Sequence, residues 1–210
     1  MILEACVENL ADAQLAQAGG ADQVELCGRL DVGGLTPDAA LVKATIQHLT
    51  IPVKVMIRPR AGDFVFSRQE VQQMLEETSA MCALGVQHFV IGLATADQQL
   101  DLVNIQRICA QFRSATFTLH KVIDSIPNPL QFIPALNSIP NLSSILSSGG
   151  AATALEGATQ IIAINNALAS DKHVIAAGKI TAANLPEVKL KIPVKAYHGR
   201  KIIDWSKEAD

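Results

Sequence analysis

Apolar positions recur at two periods that take turns along the whole chain. Short β-prone runs lie at 2–6 (ILEAC), 23–27 (QVELC), 53–58 (VKVMIR), 88–92 (HFVIG), 115–120 (ATFTLH), 143–147 (SSILS), 173–177 (HVIAA) and 193–198 (PVKAYH). Longer helical stretches separate them at 8–18, 37–48, 68–84, 98–112, 129–138, 153–168 and 181–189. Regular alternation of strand and helix implies a parallel sheet. About eight such units predict a closed (β/α)₈ TIM-type barrel, because an open doubly wound sheet usually holds about five or six strands.

Residues i and i+2 of a strand share a face. Leu3 and Ala5 therefore oppose Glu4 and Cys6, and Val24 and Leu26 oppose Glu25 and Cys27. Val55 and Ile57 oppose Lys54, Met56 and Arg58, while Phe117 and Leu119 oppose Thr116, Thr118 and His120. The apolar set is expected to meet the surrounding helices. The polar set then points into the barrel, where a charge must be paired.

Local signals mark the boundaries. Thr36-Pro37 reads as an N-cap with proline at the first helical position, and Ser67 with Glu70 as a capping box. Gly19-Gly20 and Gly85 stand where helices stop, and Pro52 and Pro193 introduce strands. No linker or low-complexity tract interrupts the alternation, so residues 1–210 are read as one domain. The segment after Gly199 is short, which predicts a short or degenerate last helix.

Composition narrows the classes. The chain has 210 residues, 49% hydrophobic and 18% charged, a net charge of −3 and no Lys/Arg run. A nucleic-acid or anionic-lipid footprint is absent. The N-terminus has neither a basic n-region nor a long apolar stretch, so no signal peptide and no membrane span are expected. Four cysteines (Cys6, Cys27, Cys82, Cys109) without CxxC or zinc spacing read as free thiols in a reducing cytoplasm.

The strand ends of a (β/α)₈ barrel share one mouth. Here they bring Glu4, Cys6, Glu25, Cys27, Arg58, Arg60, His120, Lys121, Asp124, Ser148, Gly149 and His198 into consideration. Glu4, Glu25, His120 and Asp124 are candidates for proton transfer, since carboxylates and imidazole in one cleft shift each other's pKa. A salt-bridge network that merely fills the barrel fits the two glutamates equally well. Arg58, Arg60 and Lys121 are candidate anion contacts, as are the backbone N–H groups of Ser148 and Gly149; a plain strand-to-helix turn needs the same glycines. Cys6 and Cys27 end the first two strands at equivalent positions, about one strand spacing apart if the register is even. Two such thiolates suit Cu(I), although small buried cysteines are common without any metal. No GxGxxG, Walker loop, HExxH or GxSxG is present.

The segments GGADQVELCGRLDVGGLTPD, IPVKVMIRPRAGDFVFS and LSSGGAATALEG, with the N-terminal LEACVENL, resemble the signature segments of the copper homeostasis protein CutC family. The resemblance is collinear over residues 1–165. It implies a cytosolic TIM barrel, homo-oligomeric, that handles copper, with Cu(I) held by the cysteines matching Cys6 and Cys27. The chain departs from the family pattern at His120-Lys121-Val122-Ile123-Asp124, at Ala176-Ala177-Gly178-Lys179 and after His198. Three functions remain open: Cu(I) binding in copper homeostasis, an isomerase- or lyase-type enzyme acting on a small anionic metabolite, and a non-catalytic binding or scaffold protein whose polar interior is structural.

Overall fold

In the computed structural model, which describes residues 1–204, eight parallel strands close in sequence order, each hydrogen-bonded to the next and β8 back to β1. The strands are β1 (Ile2–Val7), β2 (Gln23–Leu26), β3 (Val53–Met56), β4 (His88–Ile91), β5 (Thr116–Leu119), β6 (Leu142–Ser147), β7 (His173–Ala176) and β8 (Ala196–Gly199). Helices α1 (Leu10–Ala18), α2 (Ala39–His48), α3 (Arg68–Ala83), α4 (Leu102–Gln111), α5 (Ile133–Asn137), α6 (Ala158–Ala167) and α7 (Leu185–Lys191) surround them. The expected (β/α)₈ architecture holds. No eighth helix forms over residues 200–204; the rest of the expected last helix lies outside the described residues.

The two strand faces do what the alternation predicts. Ala5, Val24, Leu26, Val55, Ile57, Phe89, Phe117 and Leu119 join the main core against the helices. Inside the barrel, Cys6, Cys27, Met56 and Val90 form one small apolar cluster, and Leu146, Ile175, Ala177 and Ala196 another. Glu4, Glu25, Lys54, Thr118 and Ser144 are buried with them.

Some local readings change. Ser67 and Glu70 do form the capping box of α3. Helix α2, however, is capped by Asp38, whose Oδ1 accepts from the Leu41 N–H at 2.8 Å, and not by Thr36. The Thr36 N–H donates to the Arg58 carbonyl, and its Oγ1 donates to Glu77 and accepts from the Arg58 N–H. The stretch 129–138 is a 3₁₀ turn followed by the five residues of α5, since Pro134 removes a helical donor.

Candidate functional site

The carboxyl ends of the strands open onto a cavity of about 220 Å³ lined by Cys6, Glu25, Cys27, Met56, Arg58, Phe64, His120, Lys121 and His198, among others. The sequence candidates Glu4, Arg60, Asp124, Ser148 and Gly149 are not among its lining residues. Each has another place.

Register explains how the thiols meet. Cys6 pairs with Glu25, and Glu4 with Gln23, so the even alignment of Cys6 with Cys27 is corrected by two residues. Closing a parallel barrel requires such a stagger, and a shift of two keeps every side chain on its own face. Cys27 follows β2 and is tied to β1 by its N–H to the Val7 carbonyl at 2.9 Å. One ligand atom from each of Cys6, Glu25 and Cys27 lies within 4.8 Å of the others, and all three residues are buried. Gly34, at φ +89°, passes so close that a Cβ there would sit 3.1 Å from the Cys27 sulfur.

Beneath the thiols lies a closed polar network. Glu4 Oε2 is 2.8 Å from Lys54 Nζ and accepts from Gln23 Nε2 at 2.6 Å; its Oε1 meets His198 Nδ1 at 2.9 Å. Lys54 also donates to Thr118, which shares a hydrogen bond with Ser144. His198 Nε2 lies 3.6 Å from Glu25 Oε2, so this imidazole bridges both glutamates across the β8–β1 seam. Sequence reading placed His198 at a strand end and gave it no role. The signal was its parity, which puts it on the same inward face as Glu4.

Charges set the protonation of the group. Burial alone would raise Glu4, but the Lys54 ammonium and His198 hold it down at about 2. Burial pushes Glu25 up to about 8, helped by the negative charge of Cys6. Against its burial, the neighbouring Glu25, Cys6 and Glu4 raise His198 well above the usual imidazole range. The Cys27 thiol, donating to Cys6, pulls Cys6 well below the ordinary thiol range, and His198 adds to this; the same hydrogen bond and burial push Cys27 up. These shifts favour a thiolate on Cys6, a thiol on Cys27, a protonated imidazole on His198 and a neutral carboxyl on Glu25. Such a set can ligate a soft metal ion or deliver a nucleophilic sulfur.

Arg58 is bound from behind. Its Nη1 donates to the carbonyls of Val32 and Gly34 and its Nη2 to that of Gly62, while the guanidinium lies 4.8 Å over the Phe64 ring. Arg60, expected from the sequence to bind an anion beside Arg58, does not line the cavity. It pairs instead with Glu70 and Asp63 and donates to the Val65 carbonyl, because the chain leaves the strand at Met56 and the parity argument ends there.

His120 caps a 3₁₀ turn (Lys121–Ser125), its Nδ1 accepting from the Val122 N–H at 3.0 Å. Its ring packs 4.7 Å from Phe64, and burial together with the Arg58 charge lowers it to about 3. It is neutral. Asp124 in that turn accepts from Ser147 Oγ, from the N–H and Oγ of Ser148 and from the Gly150 N–H, at 2.6 to 3.1 Å. The Gly149 N–H goes to Ser147 Oγ. The backbone cradle expected to receive an external anion thus holds the chain's own carboxylate, and Asp124 does not line the cavity at the mouth. Lys121 stands at the rim, 3.9 Å from Asp124.

The CutC family model matches residues 1–203. The family protein CutC of Pasteurella multocida is 35% identical over 184 residues, covering 88% of this chain and 75% of that relative. That of Photobacterium profundum is 33% identical, covering 93% of this chain and 80% of the relative. A crystal structure from Streptococcus agalactiae, provisionally assigned as the copper homeostasis protein CutC, superposes with a TM-score of 0.90 at 29% identity and covers 96% of this chain and 99% of its own. The chain belongs to the CutC family.

Proposed function

We propose that this protein binds Cu(I) at the barrel mouth through Cys6 and Cys27 and serves copper homeostasis. One observation carries the reading: two buried sulfurs and a carboxylate oxygen lie within 4.8 Å of one another. The donor set fits the ion, since soft thiolates select Cu(I) and the surroundings of Cys6 shift it toward its thiolate form. Met56 and Val90 pack against both cysteines and give the sulfurs an apolar wall. Glu25 is the third donor, beside the thiols and linked through His198 to the network below. Copper homeostasis is also the description carried by the Streptococcus agalactiae relative.

No helix among the described residues is long and apolar enough to cross a membrane. Free cysteines throughout fit a reducing cytoplasm, the setting in which Cu(I) persists. The copper reading includes a homo-oligomeric state, which light scattering of the purified protein measures.

The test is a titration of the reduced protein with Cu(I) against a competing chelator. One equivalent is expected to bind, and Cys6→Ala with Cys27→Ala to abolish binding. Full affinity in the double variant rejects the thiol site.

A further inference from the structure

Three buried polar atoms around the mouth cavity have no hydrogen-bond partner: Arg58 Nε, His120 Nε2 and Glu25 Oε1. Two of them are donors whose direction is fixed. Both terminal nitrogens of Arg58 are engaged by the carbonyls of Val32, Gly34 and Gly62, while its Nε–H has no partner. His120 Nδ1 accepts from the Val122 N–H, so its ring hydrogen is on Nε2. Phe64 positions both, with the guanidinium 4.8 Å above its ring and the imidazole 4.7 Å from it. Arg58 and His120 are only 6% and 4% exposed, so an unmet donor on either is costly. Donors held this way in a buried site are preorganised for an acceptor that arrives from outside.

The surroundings give the sign and size of that acceptor. Lys121 lines the cavity, and an adjoining space of about 460 Å³ is lined by Lys121, Lys179, Arg200 and Lys201 with no Asp or Glu among its lining residues. The inner cavity, about 220 Å³, is smaller than a drug-sized site.

We propose that the barrel mouth binds a small organic oxyanion, a carboxylate or a phosphate ester, whose oxygens accept from Arg58 Nε–H and His120 Nε2–H while its remaining charge faces Lys121. This site lies beside the thiols and does not depend on a metal. Its occupant sits in the cavity that Cys6 and Glu25 also line.

The experiment uses the reduced, metal-free protein, so its outcome is independent of copper. Pyruvate, inorganic phosphate and 2-phosphoglycolate are titrated separately, read by calorimetry and by the side-chain ¹⁵N resonances of His120. Saturable binding of at least one, with a shift at Nε2, is expected; pyruvate alone identifies a carboxylate site and phosphate alone a phosphate site. His120→Asn keeps an oxygen to cap the Val122 N–H but places no donor where Nε2 stood, and is expected to weaken binding roughly tenfold or more. Lys121→Glu, on the exposed rim, is expected to weaken it several-fold and to flatten its salt dependence, which keeps the test open if His120→Asn folds poorly. Absence of saturable binding by all three probes overturns the proposal, as does affinity unchanged in both variants.

Discussion

Lys54 Nζ lies 2.8 Å from Glu4 Oε2 in the interior of the barrel, with the Glu4 side chain 1% exposed. The pair joins β1 to β3 across the intervening β2; Thr118 accepts from Lys54, and Gln23 and His198 hold Glu4. Removing Lys54 leaves the buried Glu4 carboxylate with His198 as its one cationic partner among the described residues. Lys54→Met is therefore expected to destabilise the fold by about 3–5 kcal/mol, whereas adding Glu4→Gln to it recovers part of the loss. Urea denaturation of the single and double variants measures this; equal stability of wild type and Lys54→Met would show the pair to be dispensable.

Gly92 follows β4 at a point where a Cβ would stand 2.2 Å from His120 Cε1 and 2.4 Å from Nδ1. The imidazole occupies the space a side chain would need. Gly92→Ala must displace the ring, since the clash is with a rigid, packed group rather than a flexible tip. A loss of about 1–3 kcal/mol is expected, together with a loss of oxyanion affinity matching that of His120→Asn. Retained affinity in Gly92→Ala would mean that His120 does not need this position.

Alternation made the barrel legible, because an eightfold βα repeat has few closed solutions and period-two parity assigns each strand residue a face. Parity placed Glu4, Cys6, Glu25, Lys54 and His120 inside, and those residues are buried there. Three things escaped it. The stagger between β1 and β2 is a property of closure and moved Cys6 opposite Glu25. Parity also ends where a strand ends, which is why Arg58 and Arg60, two residues apart, face different partners. Finally, a loop's backbone donors can be satisfied from within the chain, and nothing local in Ser147-Ser148-Gly149-Gly150 announces that Asp124, more than 20 residues earlier, fills them.

That loop yields its own expectation. Asp124 accepts hydrogen bonds from the Ser148 and Gly150 backbone and from two serine hydroxyls. Asp124→Ala leaves these donors facing an empty place, and a loss of about 2–4 kcal/mol is expected, with faster amide exchange at Ser148 and Gly150. Inorganic phosphate is expected to bind weakly in the vacated cradle and to restore part of the exchange protection. Exchange rates identical to wild type would show that the β6 loop holds its shape without the carboxylate.

The pH dependence of stability gives the last test, and its sign is set by His120. Burial and the Arg58 charge lower this imidazole from 6.5 to about 3. Between those values the unfolded chain binds a proton that the fold refuses, so the stabilising contribution is complete above about pH 6.5 and is lost as the pH falls toward 3. Glu25, raised to about 8, acts in the opposite sense, its contribution being present below about 4.5 and lost as the pH rises. Comparing wild type with His120→Asn cancels Glu25 wherever the substitution leaves it undisturbed. The stability of wild type relative to the variant is then expected to fall with decreasing pH, by up to about 1.4 kcal/mol per pH unit across the window. Denaturation curves at a series of pH values read this directly. A constant difference from pH 7 to pH 4 would mean that His120 titrates normally, and so that its ring is not held in the dry, Arg58-facing position on which the oxyanion site depends.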